Sequence, residues 1–145
     1  MAAAILHASL LALLAIVTVT DLRSRLVPDR ALLAGGAVAL AIVCLTDPGA
    51  LPERLAWSLG SGGFLLAAAL LRPDGMGLGD VKLAAVLGFY LGAAVVLALM
   101  VAFSTGAAAG LAIIAHRGWE ARSQALPLAP FLAAGSVVAL VLAQP

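Results

Sequence analysis

The apolar positions of this chain fall in unbroken runs, without the period of two expected of a half-buried strand or the 3.6 of a surface helix. Five stretches carry no charge: residues 2–20, 31–46, 55–71, 83–115 and 125–144. A hydrocarbon layer roughly 30 Å thick asks for about 20 apolar residues per helix, and these stretches match that demand. None alternates as the strands of a membrane barrel would. The pattern predicts an all-α polytopic membrane bundle. The stretch 83–115 is too long for one crossing, because a straight helix of that length would reach about 50 Å at 1.5 Å per residue. It is expected to fold back near Gly88 to Gly92, with Tyr90 at a headgroup boundary, giving a short helix after Asp80 and a longer one to about Ala115. The expectation is therefore six transmembrane helices.

Composition agrees: 64% of the residues are hydrophobic and 10% charged, where soluble domains carry about a quarter charged. The formal net charge of +1 comes without a basic stripe or an aromatic and basic patch, which argues against nucleic acid as a partner. Position matters more than total charge. With six spans, the first, third and fifth connections and their flanks hold Arg23, Arg25, Arg30, Arg72, Lys82, Arg117 and Arg122, while the second holds only Arg54. Because cytoplasmic loops are enriched in Lys and Arg, this asymmetry predicts both termini outside and a multi-pass protein of the cytoplasmic membrane. Asp21 and Asp80 then fall at cytoplasmic helix ends. Connections this short leave no room for a separate soluble domain, so residues 1–145 read as one membrane domain. The first 20 residues lack a basic leading region, and Asp21 stands where a signal-peptide cleavage site would be; they read as a retained helix. Cys44, the lone cysteine, reads as a small apolar packing residue. Gly106 and Gly110, separated by three alanines, read as a surface for close helix contact.

Ionisable groups in or near a bilayer are costly, which makes each acid a candidate for function. Asp47 and Glu53 flank Pro48, Gly49 and Pro52 and read as members of a solvated turn. Glu120 lies between Arg117 and Arg122 in an inner loop, with His116 and Trp119 as interfacial neighbours. His7 has no nucleophile or acid beside it. Asp80 is different. It closes the run Asp74-Gly75-Met76-Gly77-Leu78-Gly79-Asp80 and opens an apolar helix. Glycines at Gly77 and Gly79 remove side-chain bulk and let another backbone pass beside the acid, while the plainer reading makes Asp80 a helix cap. Asp21 ends the first helix, and its plainer reading is an ion pair with Arg25, four residues on. Asp29 follows Pro28 and reads as the N-cap of the next helix, so its replacement by Asn is expected to be largely harmless. Lys82 would either help position a substrate or, more simply, reach the interface or counter a nearby acid.

Taken together these residues resemble a known family. The segment from Asp21 to Asp29, an aspartate followed by a basic stretch and then Val27-Pro28-Asp29, resembles the first signature of bacterial type IV prepilin peptidases. Gly77-Leu78-Gly79-Asp80-Val81-Lys82-Leu83 resembles their second signature, a glycine-any-glycine-aspartate motif shared in part with presenilin-like membrane proteases. Leu126-Pro127-Leu128-Ala129-Pro130-Phe131 is similar to the proline-rich start of their last helix, with Ala129 where a glycine is usual. The resemblance implies an aspartic-type endopeptidase that cuts a prepilin or pseudopilin leader at the cytoplasmic membrane face, after a glycine that precedes the hydrophobic helix. It implies Asp21 and Asp80 as the catalytic pair, with no metal or cofactor, and pilus or secretion machinery as possible company. Larger members add an N-terminal part with a cysteine-based metal motif and N-methylation. This chain is expected to be a peptidase without methyltransferase activity, like the short forms that serve tight-adherence (Flp-type) pili.

Two carboxyls held close cannot both ionise cheaply, so such a pair shares one proton and divides the roles of base and acid. The rival reading is a small proton-coupled carrier in which Asp21 and Asp80 relay protons, or a structural subunit whose acids only cap helices. A relay favours acids near the bilayer midplane.

Overall fold

The computed structural model describes residues 1–24, 26–71, 77–118 and 127–143. Among them lie six α-helices: α1 (Ala2–Ser24), α2 (Asp29–Thr46), α3 (Leu51–Leu71), α4 (Leu78–Leu91), α5 (Val95–Arg117) and α6 (Ala129–Leu142). Short 3-10 turns, Pro48–Ala50 and Gly92–Ala94, join α2 to α3 and α4 to α5. The all-α expectation holds. Arg25, Arg72, Asp74, Gly75, Met76, Trp119, Glu120, Arg122 and Leu126 lie outside the described residues.

The reversal within the long apolar stretch occurs where glycine is needed. Gly92 has φ of +57°, a value other residues adopt reluctantly. Gly88, the other expected break, is instead inside α4. There a β-carbon would run into Ser61 and the carbonyl of Trp57 on α3, so its role is close packing. Tyr90 turns its ring inward, into the bundle. It is buried, donates to the carbonyl of Gly35 at 2.8 Å and lies 3.3 Å from the Ser9 hydroxyl, which ties α1, α2 and α4 together.

Cross-helix contacts fix the directions. Gly62 faces Ala85 while Gly88 faces Trp57, so α3 and α4 run antiparallel. Phe64 stacks edge-on against Phe103 at 6.3 Å, and Trp57 and Val95 line the same apolar groove of about 400 Å³, so α5 runs with α3 and against α4. Gly106 meets Phe131, and Gly135 meets Ala98 and Ala102, which sets α6 antiparallel to α5. Gly35 meets Leu13, Gly36 meets Val86, and Ser9 meets Tyr90, so α1 opposes both α2 and α4. The six helices therefore alternate in direction, and α4 touches each of the other five.

Much of the apolar surface faces outward: Ile16, Leu33, Leu45, Leu59, Phe64 and Leu70 are exposed, while the polar Asp21, Ser61 and Ser136 are buried. Lipid is the solvent that suits such a surface. Cys44 also lies on this outer surface. Ala3–Ser24, Asp29–Thr46, Pro48–Leu71 and the bent run Leu78–Arg117 are long and apolar enough to cross a membrane. At 14 residues each, α4 and α6 are about 21 Å long, shorter than a typical hydrocarbon core.

In lipid an outward leucine loses little by remaining exposed, so helices associate through close packing and hydrogen bonds between them. The contacts at Gly62, Gly88 and Gly135 supply the first. Ser61, within 2.8 Å of the carbonyl of Ala84, and Tyr90 supply the second. At the end of α4, Arg54 donates to the carbonyls of Phe89 and Tyr90 at 2.9 and 2.8 Å, satisfying groups that the helix itself leaves open.

Candidate functional site

Asp21 owes its position to helical spacing. Leu10, Leu14, Val17 and Asp21 recur at intervals of four, three and four, and all four are buried, so the carboxyl continues an apolar stripe into the bundle. Asp80 stands in the first turn of α4, on the face that carries the fully buried Leu83 and Leu87. Since α1 and α4 are antiparallel, the last turns of one and the first turn of the other meet at one end of the bundle. The two carboxyls lie close enough for the charge of Asp21 to act on Asp80.

Helix α4 starts without a Ser, Thr, Asp or Asn at its N-cap. Gly77 occupies that place with extended backbone, and the amide of Asp80 donates to its carbonyl at 3.1 Å. Asp80 thus stands in the first turn, where a carboxylate is favoured by the open amides of the helix start. It occupies the helix start that the capping reading requires, and it does so near Asp21.

The connection between α1 and α2 wraps this first turn. Pro28 disfavours helix at the residue before it, and residues 26–28 are non-helical. Val27 lies against Gly79, where a β-carbon would come within 2.9 Å of the Val27 Cβ, so glycine is what lets the two backbones approach. Gly77 remains exposed.

Asp29 is not the N-cap of α2. Pro28 holds that position, its carbonyl accepting from the amides of Ala31 and Leu32 at 3.0 and 3.2 Å, and Asp29 is in the first turn. Its carboxylate instead receives Lys82 Nζ on both oxygens at 2.8 Å. Lys82 thus counters a nearby acid, the simpler of its two expected roles. Sequence reasoning missed this pair and the Val27 contact because no local pattern links residues so far apart. At the far end of the bundle from Asp80, Asp47 lies in the turn between α2 and Pro48–Ala50, as expected, while Glu53 is in the first turn of α3 rather than in the turn itself. Among the described residues no group of His, Cys, Asp and Glu has the arrangement of a metal site.

Comparison with known proteins gives one family. The family model described as "Type IV leader peptidase family" matches residues 8–143. A "Prepilin leader peptidase/N-methyltransferase" of Bacillus subtilis (strain 168) is 40% identical over 137 residues, covering 89% of this chain and 52% of the relative. The chain thus spans about half the length of that curated relative. No solved structure matches it.

Proposed function

The chain belongs to the type IV leader peptidase family, and from that premise we propose that it hydrolyses the bond between leader and hydrophobic helix in prepilin-like precursors, using Asp21 and Asp80. The observation that carries this reading is the meeting of two acids from helices far apart in sequence at one end of an otherwise apolar bundle. A proton relay would be better served by acids midway along the helices, whereas these stand in terminal turns, where a membrane-boundary peptide bond is within reach.

In the proposed reaction one carboxyl is ionised and the other protonated. The ionised group takes a proton from water as its oxygen attacks the scissile carbonyl carbon, while the protonated group donates a hydrogen bond to the carbonyl oxygen. The tetrahedral intermediate then collapses, the C–N bond breaks, and the leaving amine takes up a proton from the dyad. Two carboxyls and one water complete this chemistry. A helical peptide bond is already hydrogen-bonded and hidden, so the substrate unwinds locally, and its extended segment runs along the backbone at Gly77 and Gly79.

The six alternating helices cross the cytoplasmic membrane, with the dyad on the cytoplasmic side and both termini outside. Supporting this orientation, Arg23, Arg30, Lys82 and Arg117 cluster at the end of the bundle where Asp21 and Asp80 meet.

The test is direct. Purified chain in liposomes is mixed with a prepilin carrying its leader, and the new N-terminus is read by mass spectrometry. Native protein should release the leader, and Asp21→Asn and Asp80→Asn should each lose roughly 10²- to 10⁴-fold in rate, the usual contribution of a positioned acid or base. Full activity in either variant would refute the dyad.

A further inference from the structure

Resting on that reading of the site, we propose that Asp29 and Lys82 are positioning residues, a clamp that sets where Asp80 stands relative to Asp21. The two acids belong to different helices, so their separation depends on how the first turn of α4 is held against the end of α1. At its opposite end α4 is anchored by Arg54 and Tyr90. Nearer its start it packs on α3, through Ser61 and Gly62, and its first turn is also held by the segment that continues from α1. Val27 presses on Gly79, one residue before Asp80, and Asp29 grips Lys82, two residues after it. The acid is therefore bracketed on both sides by the polypeptide that leaves Asp21.

An exposed pair is worth little to overall stability. Lys82 and Asp29 are 54% and 60% exposed, and water screens the attraction of such a pair. What the pair supplies is geometry. Both carboxylate oxygens meet the one ammonium at 2.8 Å, so sliding α4 along its axis or rotating it strains both contacts together. A displacement of about 1 Å in a catalytic group can cost on the order of 10²-fold in rate, which makes a weak but well-placed contact consequential. Asp29→Asn is then not a harmless change.

Two measurements test the clamp in a Cys44→Ser background. The first needs no activity. In membranes carrying Asp21→Cys and Asp80→Cys, the rate of oxidative cross-linking reads the approach of the two positions. Lys82→Gln or Asp29→Asn should slow it several-fold, and the exchanged pair Asp29→Lys with Lys82→Asp should restore it. The second uses prepilin cleavage by the intact dyad. Each single neutralisation should lower kcat by about tenfold or more with KM little changed, and the exchanged pair should recover most of the loss. A cross-linking rate unmoved by the single variants would overturn the clamp. So would a rise in KM alone, or an exchanged pair no better than its parents, since Lys82 would then act on the substrate. If the native chain releases no leader, the proposed function fails and the cross-linking result still decides the clamp.

Discussion

Val27 lies against Gly79 so closely that a β-carbon on the glycine would come within 2.9 Å of the valine's own Cβ. The atom it would strike is next to the backbone, so no side-chain rotation makes room. Gly79→Ala should therefore displace residues 26–28 or the first turn of α4, at a cost of about 1–3 kcal/mol in local packing. Cleavage should fall with it, and Gly79→Val should abolish cleavage while the protein still assembles in the membrane. Trimming the neighbour as well, in Gly79→Ala with Val27→Ala, should recover part of the rate. Normal turnover by Gly79→Val would remove the steric account.

The interface of α3 and α4 offers a controlled comparison between glycines. Gly88→Ala would push a methyl group into Ser61 and the Trp57 carbonyl, whereas a methyl on Gly63 would meet nothing within 4 Å. Thermal unfolding in detergent should show Gly88→Ala destabilised by about 1–3 kcal/mol or failing to assemble. Gly63→Ala should be neutral or up to about 1 kcal/mol more stable, the usual helix advantage of alanine. Equal behaviour of the two would contradict the close packing.

Tyr90→Phe removes the hydroxyl that joins α4 to Gly35 and Ser9 and leaves the ring in place. Interhelical hydrogen bonds in membranes average about 0.6 kcal/mol, so the loss should be of that size. Leader release should continue at close to the native rate, because the tyrosine stands at the end of α4 remote from Asp80. A collapse of activity with little loss of stability would point to a role for this network in the site.

Arg54→Met deletes the cation that serves the last carbonyls of α4. Charge-assisted hydrogen bonds contribute about 1.5–3 kcal/mol, and the unfolding midpoint should drop accordingly. The kcat of the folded fraction should stay near native. A reduced kcat in protein shown to be folded would mean that the far end of α4 governs the dyad.

How far the sequence alone reaches can be judged residue by residue. The helical class and the reversal in the long apolar stretch were legible because they depend on local quantities: run length, and a glycine where the turn needs positive φ. The inward aim of Asp21 had a local signal that the sequence reading left unused, the spacing it shares with Leu10, Leu14 and Val17. What escaped depends on partners distant in the chain. Tyr90 has the composition of an interfacial residue, yet its hydroxyl finds a carbonyl 55 residues away. Asp29 has the position of a cap, yet Pro28 already fills that role and Lys82 lies 53 residues on. Gly88 and Gly92 look alike in sequence, and only their neighbours separate a packing glycine from a turning one.

The central place of α4 has one more consequence. A helix touching all five others cannot tilt without disturbing every interface at once, so it serves as a fixed post. A change in size on its inward face therefore spreads to several neighbours, whereas the same change at an outward leucine is absorbed by lipid.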